Sequence, residues 1–305
     1  MKKFLKLLLV TVLSGQLATA SSFKLQSQDF KSQADLKAAH LETTGNITVS
    51  AAQSKYLYAV DANAGKIDQY SINNSTGQLT AIASAPTVAA ADNLNGTSMG
   101  VDPSGRWLYV SFANDGGSTQ GSCDTNGCIT QYSINSSTGA LTLVGKTGGR
   151  PSSNTPAPDS ISFTPNGLYL IGAYNASTGI GGGVISWSID QSTGALTIAQ
   201  NNQTFGGIRW GNLSADGSVF VAAANAGGGV VAYTVNQTTG VLTNTGSPGS
   251  ANQGAIISQD GKWVYGVSLG NGSIFEYSNT GGALTALSPS SFSSGLLKKS
   301  SPALK

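Results

Sequence analysis

The sequence predicts an all-β protein, a β-propeller made of four-stranded antiparallel blades, and three observations support this prediction. A hairpin signature occurs five times along the chain, a second turn signature precedes each copy, and no helical pattern lies between them. Units of four short strands that repeat at this length are typical of propellers, because each blade buries its faces against its neighbours. We therefore expect five blades.

The hairpin signature has the pattern Tyr-Ser-Ile-Asn-x-Ser-Thr-Gly-x-Leu-Thr. Its copies cover residues 70–80, 132–142, 187–197 and 233–243, and a shortened copy covers 277–285. Each full copy starts as an alternating strand that ends at Asn or Asp, continues through a polar turn, and reaches a glycine suited to positive φ. The following Leu-Thr starts the return strand, so each copy predicts two antiparallel strands.

The second signature is a tight opening turn of the type Asp-Pro-Ser-Gly. It covers residues 102–110, 164–171, 214–221 and 258–265, with a glycine-free version at 51–58. The residues after each turn are rich in aromatic and β-branched side chains, which favour strands. One strand before this turn, one after it and the two of the hairpin make four strands in each unit.

The chain divides into four segments by composition. Residues 1–20 are interpreted as a signal peptide, because a basic start precedes a short apolar stretch and small residues before a cleavage site after Ala20. A polar segment follows at 21–44, then the five-bladed propeller at 45–288 and an irregular tail at 289–305. We therefore expect a periplasmic or secreted protein, with no membrane insertion after cleavage.

Charged residues are few. The chain has 16 Lys and Arg against 14 Asp and Glu, a tenth of its residues, and they form no basic stripe. Phosphate backbones are bound by clustered Lys and Arg, so this composition argues against nucleic acid as a partner. Glycine-rich loops that bind the phosphates of a cofactor lead into the N-terminus of a helix. The glycine-rich stretches 179–183 and 227–229 precede predicted strands instead, so no cofactor is expected. The many Ser, Thr, Asn and Gln suit a small polar ligand or a glycan, and a protein partner is also compatible.

The two cysteines, Cys123 and Cys128, lie close together in one predicted loop. In an oxidising compartment we expect a disulfide between them. A metal site would need further ligands, and the single histidine of the chain, His40, is distant in sequence. We therefore expect no metal, and a disulfide that stiffens this small loop more than it stabilises the whole fold.

The two signatures together, P-x-G-x-x-L-Y-V and I-x-x-Y-S-I-N-x-x-T-G-x-L-T, resemble those of the lactonase family of seven-bladed propellers. That family includes 6-phosphogluconolactonases and carboxymuconate-cyclase-type proteins. The resemblance extends over residues 46 to 287. It implies the propeller fold and, less specifically, hydrolysis of a lactone, since a fold alone does not decide function. Five units are visible where the family has seven, so we expect a smaller ring, an open arc, or a truncated or frame-shifted product.

The resemblance also implies where a site would lie, because family enzymes place His, Arg and Glu side chains around a central channel. A Pro-His pair often starts the inner strand there, eight residues before the opening-turn glycine. The corresponding positions in this chain are Asn46, Thr97, Asp159, Arg209 and Gln253. Pro158-Asp159 keeps the proline of the pair but has Asp in place of His. All five residues are expected to line the channel.

Asp159 and Arg209 are the predicted catalytic residues, together with Arg150 in the long loop that leads to Asp159. A carboxylate near two guanidiniums suits a general base or the binding of an anionic ligand, and the alternative is a structural ion pair. Trp210 either stacks on a sugar ring or is buried between blades. Three functions remain open: hydrolysis of a sugar or carboxylated lactone, non-catalytic binding of a glycan or protein by a secreted propeller, and a truncated, inactive family member.

Overall fold

The structure of the chain, a computed structural model, describes twelve stretches of sequence. These are residues 23–24, 46–49, 55–61, 66–82, 95–113, 128–148, 158–175, 182–203, 207–224, 229–246, 254–268 and 273–293. Within these stretches no helix has the length and hydrophobicity needed to cross a membrane. The chain separates into two compact units, Met1–Gly148 and Gly149–Lys305.

The first unit contains two antiparallel sheets whose strands follow one another in chain order. Blade 1 consists of β1 Phe23–Lys24, β2 Asn46–Val49, β3 Tyr56–Asp61, β4 Lys66–Ile72 and β5 Leu79–Ala81. Blade 2 consists of β6 Asn95–Val101, β7 Trp107–Ala113, β8 Cys128–Ile134 and β9 Leu141–Gly148. Four strands of each sheet match the prediction, and β1 adds a fifth strand to blade 1 from the segment expected to be only polar.

The second unit contains three four-stranded antiparallel sheets, again in chain order. Blade 3 consists of β10 Ser160–Phe163, β11 Tyr169–Tyr174, β12 Gly183–Ile189 and β13 Leu196–Gln203. Blade 4 consists of β14 Ile208–Leu213, β15 Val219–Ala224, β16 Gly229–Val235 and β17 Leu242–Gly246. Blade 5 consists of β18 Gly254–Ile257, β19 Trp263–Ser268, β20 Ser273–Thr280 and β21 Ala283–Ser293. β21 continues beyond residue 288, where the sequence predicted an irregular tail.

The all-β fold of antiparallel blades is therefore confirmed, and local contacts explain why the hairpin signature folds as it does. The side-chain oxygen of Asn73 accepts hydrogen bonds from the main-chain nitrogens of Ser75 and Thr76, at 2.9 and 3.2 Å. The same pair of bonds forms at Asn135, Asp190 and Asn236. Asn and Asp occupy this position because their side chains can bond to the turn that follows them.

The glycine of the hairpin signature meets two separate requirements. Gly139 and Gly240 both have a φ of 73°, a conformation that residues with a β-carbon rarely adopt. A β-carbon built on Gly240 would also lie 2.4 Å from Cε1 of Tyr169 in the preceding blade. One built on Gly139 would lie 2.3 Å from Cδ1 of Tyr56. The turn of one blade therefore fits closely against an aromatic ring of the blade before it.

The cores lie between successive blades of each unit. In the first unit, Tyr58, Val60 and Ile67 of blade 1 pack with Met99 and Leu108 of blade 2. In the second unit, one core joins blades 3 and 4, and another joins blades 4 and 5. The first contains Ile171, Ala173, Val184, Phe220, Ala222 and Tyr233, and the second contains Val219, Val221, Val230, Ala255, Ile257, Val264 and Tyr277. Each blade of a pair thus buries one sheet face on the next.

Side chains of one blade also bond to the hairpin turn of the next. In the first unit, the Tyr58 hydroxyl donates to the Gly139 carbonyl. In the second unit, the Ser186 hydroxyl donates to the Gly240 carbonyl at 2.7 Å, and the Leu242 nitrogen donates to Oε1 of Gln200 at 2.7 Å. Buried carbonyl and amide groups at these turns are therefore satisfied by the neighbouring blade.

Blade 5 carries an exposed apolar face. Ile256 is 59 % exposed, and Trp263 and Val267 on the neighbouring strand are 40 % and 37 % exposed. These side chains share one face, since Ile256 pairs with Tyr265 in the ladder and residues two apart point the same way. The corresponding face of β15 in blade 4 is buried under blade 5.

Candidate functional site

Asp159 directly precedes β10, and its main chain is held by the neighbouring strand. Its nitrogen donates to the carbonyl of Ala173 at 2.7 Å. Pro158 is buried beside Gly172, where an added β-carbon would lie only 2.8 Å from Cβ of the proline. The missing side chain at Gly172 therefore leaves the space that Pro158 occupies, and this packing positions Asp159 at the start of the strand.

The Asp159 side chain is half-buried and its carboxyl group has lost part of its hydration. Burial raises the pKa of Asp159 from 3.8 to about 6, and the positive charge of Arg209 partly opposes this shift. Loss of hydration disfavours the charged form of a carboxyl group, and a nearby cation favours it. At neutral pH the group is thus mostly ionised but still basic enough to accept a proton, which is the property a general base requires.

Arg209 lies in β14, the first strand of the following blade, at an interruption of the strand ladder. Arg209 pairs with Ala223 and Gly211 pairs with Ala222, so Trp210 between them is an extra residue in the strand register. This arrangement is a β-bulge. A β-carbon built on Gly211 would lie 2.2 Å from the Val221 carbonyl oxygen, so the close approach of the two strands requires glycine.

The bulge changes where two neighbouring side chains can point. In a regular strand, Arg209 and Trp210 would lie on opposite faces of the sheet. A bulge breaks this alternation and redirects side chains, which is why bulges are common beside active sites. Both residues are half-buried. A β-carbon on Gly254, in the first strand of blade 5, would lie 3.4 Å from Cβ of Trp210, so the tryptophan stands next to that strand.

Ser160 links the two parts of this site. Its side-chain oxygen accepts a hydrogen bond of 3.0 Å from the nitrogen of Gly211, in the bulge. The sequence analysis did not identify Ser160, because nothing in the repeat signatures marks a bulge or its partner. The one available signal was Gly211 itself, since glycine inside a predicted strand often marks a bulge or a close backbone approach.

Of the residues predicted for the site, Asp159 and Arg209 lie near enough for an electrostatic interaction, and Trp210 follows Arg209 in β14. Thr97 lies in β6 of the first unit and is itself the unpaired residue of a bulge, because Gly96 pairs with Phe112 and Ser98 pairs with Ser111. Arg150 and Gln253 lie outside the described residues. So does Cys123, whereas Cys128 is buried at the start of β8, and the disulfide between them stays a prediction.

The placement of Asn46 needs a correction. Val49 pairs with Leu57 at the end of β2, as Val101 pairs with Leu108 at the end of β6. Counting back from these matched pairs places Asn46 level with Ser98 rather than with Thr97. The opening turn of the first unit is one residue longer than that of the second, so counting from the turn displaced the predicted position by one.

Among the residues that the structure describes, no three His, Cys, Asp or Glu side chains gather closely enough to hold a metal ion. The described site is instead a half-buried carboxyl group influenced by a guanidinium, and a tryptophan follows that arginine in the strand. Such a site can accept a proton, stabilise negative charge and contact the apolar face of a sugar ring.

The fold is that of β-propeller blades. In two neighbouring blades, the first strand carries a charged residue of the candidate site, Asp159 just before β10 and Arg209 in β14. The chain matches the family described as "Lactonase, 7-bladed beta-propeller" over residues 21–181 and 168–290. Since these matches cover most of the chain, the chain belongs to this lactonase family. No curated protein sequence matches it as a relative.

Solved structures resemble the chain in fold. A periplasmic gluconolactonase of Pseudomonas aeruginosa, PpgL, is 19 % identical with a TM-score of 0.59, over 80 % of this chain and 67 % of its own. A provisionally assigned 6-phosphogluconolactonase of Bacteroides uniformis is 19 % identical with a TM-score of 0.55, over 71 % of this chain and 58 % of its own. A protein of unknown function from Desulfotomaculum acetoxidans is 14 % identical with a TM-score of 0.58, over 82 % of this chain and 70 % of its own.

At these identities the likeness concerns the fold alone. The chain spans 58 % of the length of the Bacteroides uniformis protein and 67 % of PpgL. The activities of these proteins are therefore no more than a source of proposals for this chain.

Proposed function

We propose that the chain hydrolyses a lactone of a sugar or of a carboxylated compound, with Asp159 as general base and Arg209 as the group that stabilises negative charge. The observation that carries this proposal is the half-buried Asp159 side chain, the pKa of which loss of hydration raises to about 6 while Arg209 acts on it electrostatically. Buried acids with a specific charged neighbour are concentrated at functional sites.

The proposed reaction needs two groups in opposite roles. The carboxylate of Asp159 accepts a proton from water as the water oxygen attacks the lactone carbonyl carbon. The guanidinium of Arg209 donates hydrogen bonds to the resulting oxyanion. When the tetrahedral intermediate collapses, the ring carbon–oxygen bond breaks, and the proton held by Asp159 passes to the departing ring oxygen. The product is the open hydroxy acid, and Asp159 returns to its ionised form.

The remaining predicted residues take supporting roles in this proposal. Trp210 would offer its indole face to the carbon side of a sugar ring, because it is half-buried and follows Arg209 in the bulge. Arg150, in the segment before Asp159, would hold a carboxylate or hydroxyl groups of the substrate. We also propose export to the periplasm or the medium by the segment 1–20, and a Cys123–Cys128 disulfide formed there.

A second candidate function uses the same site without chemistry. Trp210 beside Arg209 is a combination suited to binding a sugar ring, because an indole packs on the ring face and a guanidinium bonds to hydroxyl groups. Under this alternative the chain is a secreted propeller that binds a glycan, and the charge of Asp159 contributes to recognition alone.

Hydrolysis of a panel of aldonolactones and carboxylated lactones, followed by acid release in a pH-stat and corrected for spontaneous hydrolysis, tests the proposal. We expect turnover by the wild type, and losses of about a hundredfold or more in Asp159→Asn and Arg209→Ala. The matched control is Asp260→Asn, which removes an exposed turn carboxylate of blade 5 and should retain full activity. Turnover that survives both site substitutions would overturn the assignment. Glycan binding by a chain that turns over no lactone would favour the second candidate.

A further inference from the structure

Blade 1 holds the hairpin turn of blade 2 with three side chains. The ring of Tyr56 lies so close to Gly139 that a β-carbon there would be 2.3 Å from the ring. The hydroxyl of Tyr58 donates to the Gly139 carbonyl at 2.8 Å, and Oε1 of Gln69 accepts a hydrogen bond of 2.8 Å from the Leu141 nitrogen. An aromatic ring, a hydroxyl and an acceptor thus form a receiving site for the Gly-x-Leu segment of the next blade.

Blade 5 has the same kinds of side chain at the same positions. Tyr58 is the third residue of β3 and pairs with Gln69, and Tyr265 is the third residue of β19 and pairs with Glu276. Trp263 lies two residues before Tyr265, where blade 1 has its packed aromatic ring. All three side chains of blade 5 share the face of Ile256 and Val267, since paired residues and residues two apart point the same way.

In blade 5 this receiving site is open to solvent. Trp263 is 40 % exposed, and Tyr265 and Glu276 are half-buried, whereas Tyr58 is fully buried in the core with blade 2. In blade 4, Val221 is likewise the third residue of its strand, and it is buried in the core with blade 5. The receiving site of blade 5 is therefore available to a further hairpin.

The hairpin of blade 1 is the matching part. Leu79 is 41 % exposed, whereas its counterparts in blades 2 and 4, Leu141 and Leu242, are each 3 % exposed and packed in the core with the preceding blade. No described atom lies within 4 Å of a β-carbon built on Gly77, although the equivalent glycines of those two blades lie against a tyrosine ring. The hairpin of blade 1 thus displays the Gly-x-Leu segment that the preceding blade receives elsewhere.

The chemistry of the two surfaces is complementary. The hairpin residues 73–79 carry no charge, and the nitrogen of Leu79 is the donor that such an acceptor receives in blade 2. The carboxylate of Glu276 is a stronger acceptor than a neutral amide, so it suits this donor. Contact with the Leu79 side chain would also remove the apolar surface of Ile256 and Val267 from water.

We infer that two copies of the chain associate head to tail, with the Gly77–Leu79 hairpin of one copy bound at Trp263, Tyr265 and Glu276 of the other. Because two different surfaces meet, each bound copy keeps a free surface, and association continues to closed rings or to open chains of copies. One hairpin on one sheet face is a small interface, so the association is weak and depends on concentration. The contact does not involve Asp159, and it stands whether or not the chain hydrolyses a lactone.

Sedimentation of the full chain over a range of protein concentrations tests the inference. We expect the average mass of the wild type to rise with concentration, while Trp263→Asp and Leu79→Asp, which each place a charge on one surface, stay single chains. An equal mixture of these two variants should form a complex of two copies and no larger, because each variant keeps one intact surface. Val241→Asp is the matched control, since Val241 is 45 % exposed in the hairpin of blade 4, and it should associate as the wild type does.

The acceptor has its own test. Glu276→Ala should weaken the association about tenfold or more, the effect of one lost buried hydrogen bond, while Glu276→Gln keeps an acceptor and should associate like the wild type. A wild type that stays a single chain at every concentration would overturn the inference. So would a Leu79→Asp variant that associates as strongly as the wild type, or a mixture of the two charged variants that forms no complex although urea unfolding shows both to be folded.

Discussion

The hydroxyl of Tyr58 donates a hydrogen bond to the main-chain carbonyl of Gly139, 2.8 Å away in the following blade. The tyrosine is fully buried, and its partner is the glycine of a hairpin turn. Ser186 and Gly240 make an equivalent contact in the second unit. In both units, a buried hydroxyl of one blade is thus matched to the turn glycine of the next.

Removing this hydroxyl should destabilise the chain. Tyr58→Phe leaves the Gly139 carbonyl without its partner in a buried setting, which costs about 1 to 3 kcal/mol. Tyr169→Phe is the control, because its hydroxyl bonds to the Thr238 carbonyl at the same distance of 2.8 Å but in an exposed position. Urea unfolding should show the larger loss for Tyr58→Phe, and equal losses would contradict the role of burial.

Gly240 should tolerate alanine less well than Gly77. Both have a φ close to +72°, so either substitution places a β-carbon in a conformation that costs about 1 to 2 kcal/mol. Only at Gly240 does the added carbon meet the ring of Tyr169, and such overpacking costs roughly 1 to 3 kcal/mol more.

Thermal unfolding of Gly240→Ala, Gly77→Ala and the wild type measures this difference. A second substitution, Tyr169→Ala, should remove most of the extra cost at Gly240, because the clash disappears with the ring. The explanation is wrong if Gly77→Ala is as destabilising as Gly240→Ala.

Asp159 should make the stability of the chain depend on pH. The pKa of this group in the folded chain, about 6, lies above the ordinary 3.8. Its protonated form therefore contributes stability that is fully present below about pH 3.8 and is lost as the pH rises through about 6. Asp159→Asn, which cannot ionise, should be more stable than the wild type at pH 8 by roughly 2 to 3 kcal/mol and similar to it at pH 3.5.

Urea unfolding at the two pH values provides the measurement. Asp260→Asn serves as the control, because hydrogen bonds from Ser258 and Lys262 hold the pKa of Asp260 below its ordinary value. It should bring no gain at pH 8. A gain for Asp159→Asn that is equal at both pH values would show that burial of the charge is not its cause.

The apolar face of blade 5 should dominate the binding of a hydrophobic dye. Large exposed apolar patches are uncommon on soluble proteins and attract hydrophobic molecules. We expect the combined substitutions Ile256→Thr and Val267→Thr to lower the fluorescence of bound ANS markedly. Val241→Thr, which changes a similarly exposed but separate valine in a turn, should have little effect. Similar fluorescence of the wild type, the double variant and Val241→Thr would show that the dye binds elsewhere.

The repeat signatures predict most of the local structure, because turns and alternating strands depend on nearby residues. Asn73 and Gly77 occupy their roles for reasons visible within a few residues of sequence. The hydrogen bond from Gly211 to Ser160 could not be predicted in the same way, since the two residues lie in different blades. The pairing of β1 with β2 is likewise a contact between segments distant in sequence.

Strand positions could be predicted only where turns have equal length. Counting from the opening turn places Asp159 and Arg209 at equivalent levels of their blades, each four residues before a matched pair, but displaces Asn46, where the turn is longer by one residue. Side-chain direction at Arg209 follows from strand register, and register changes at a bulge. Sequence spacing alone therefore locates a residue along a strand but not the direction in which it points.

The contacts between blades also bear on how such chains evolve. In blades 1 and 2, and again in blades 3 and 4, a hydroxyl of the earlier blade reaches forward to the turn glycine of the later one. A gene duplication that copies such a pair whole therefore inserts two blades whose shared interface already fits. Under this rule, lineages of one family can gain or lose blades in pairs without first redesigning the interface inside the pair.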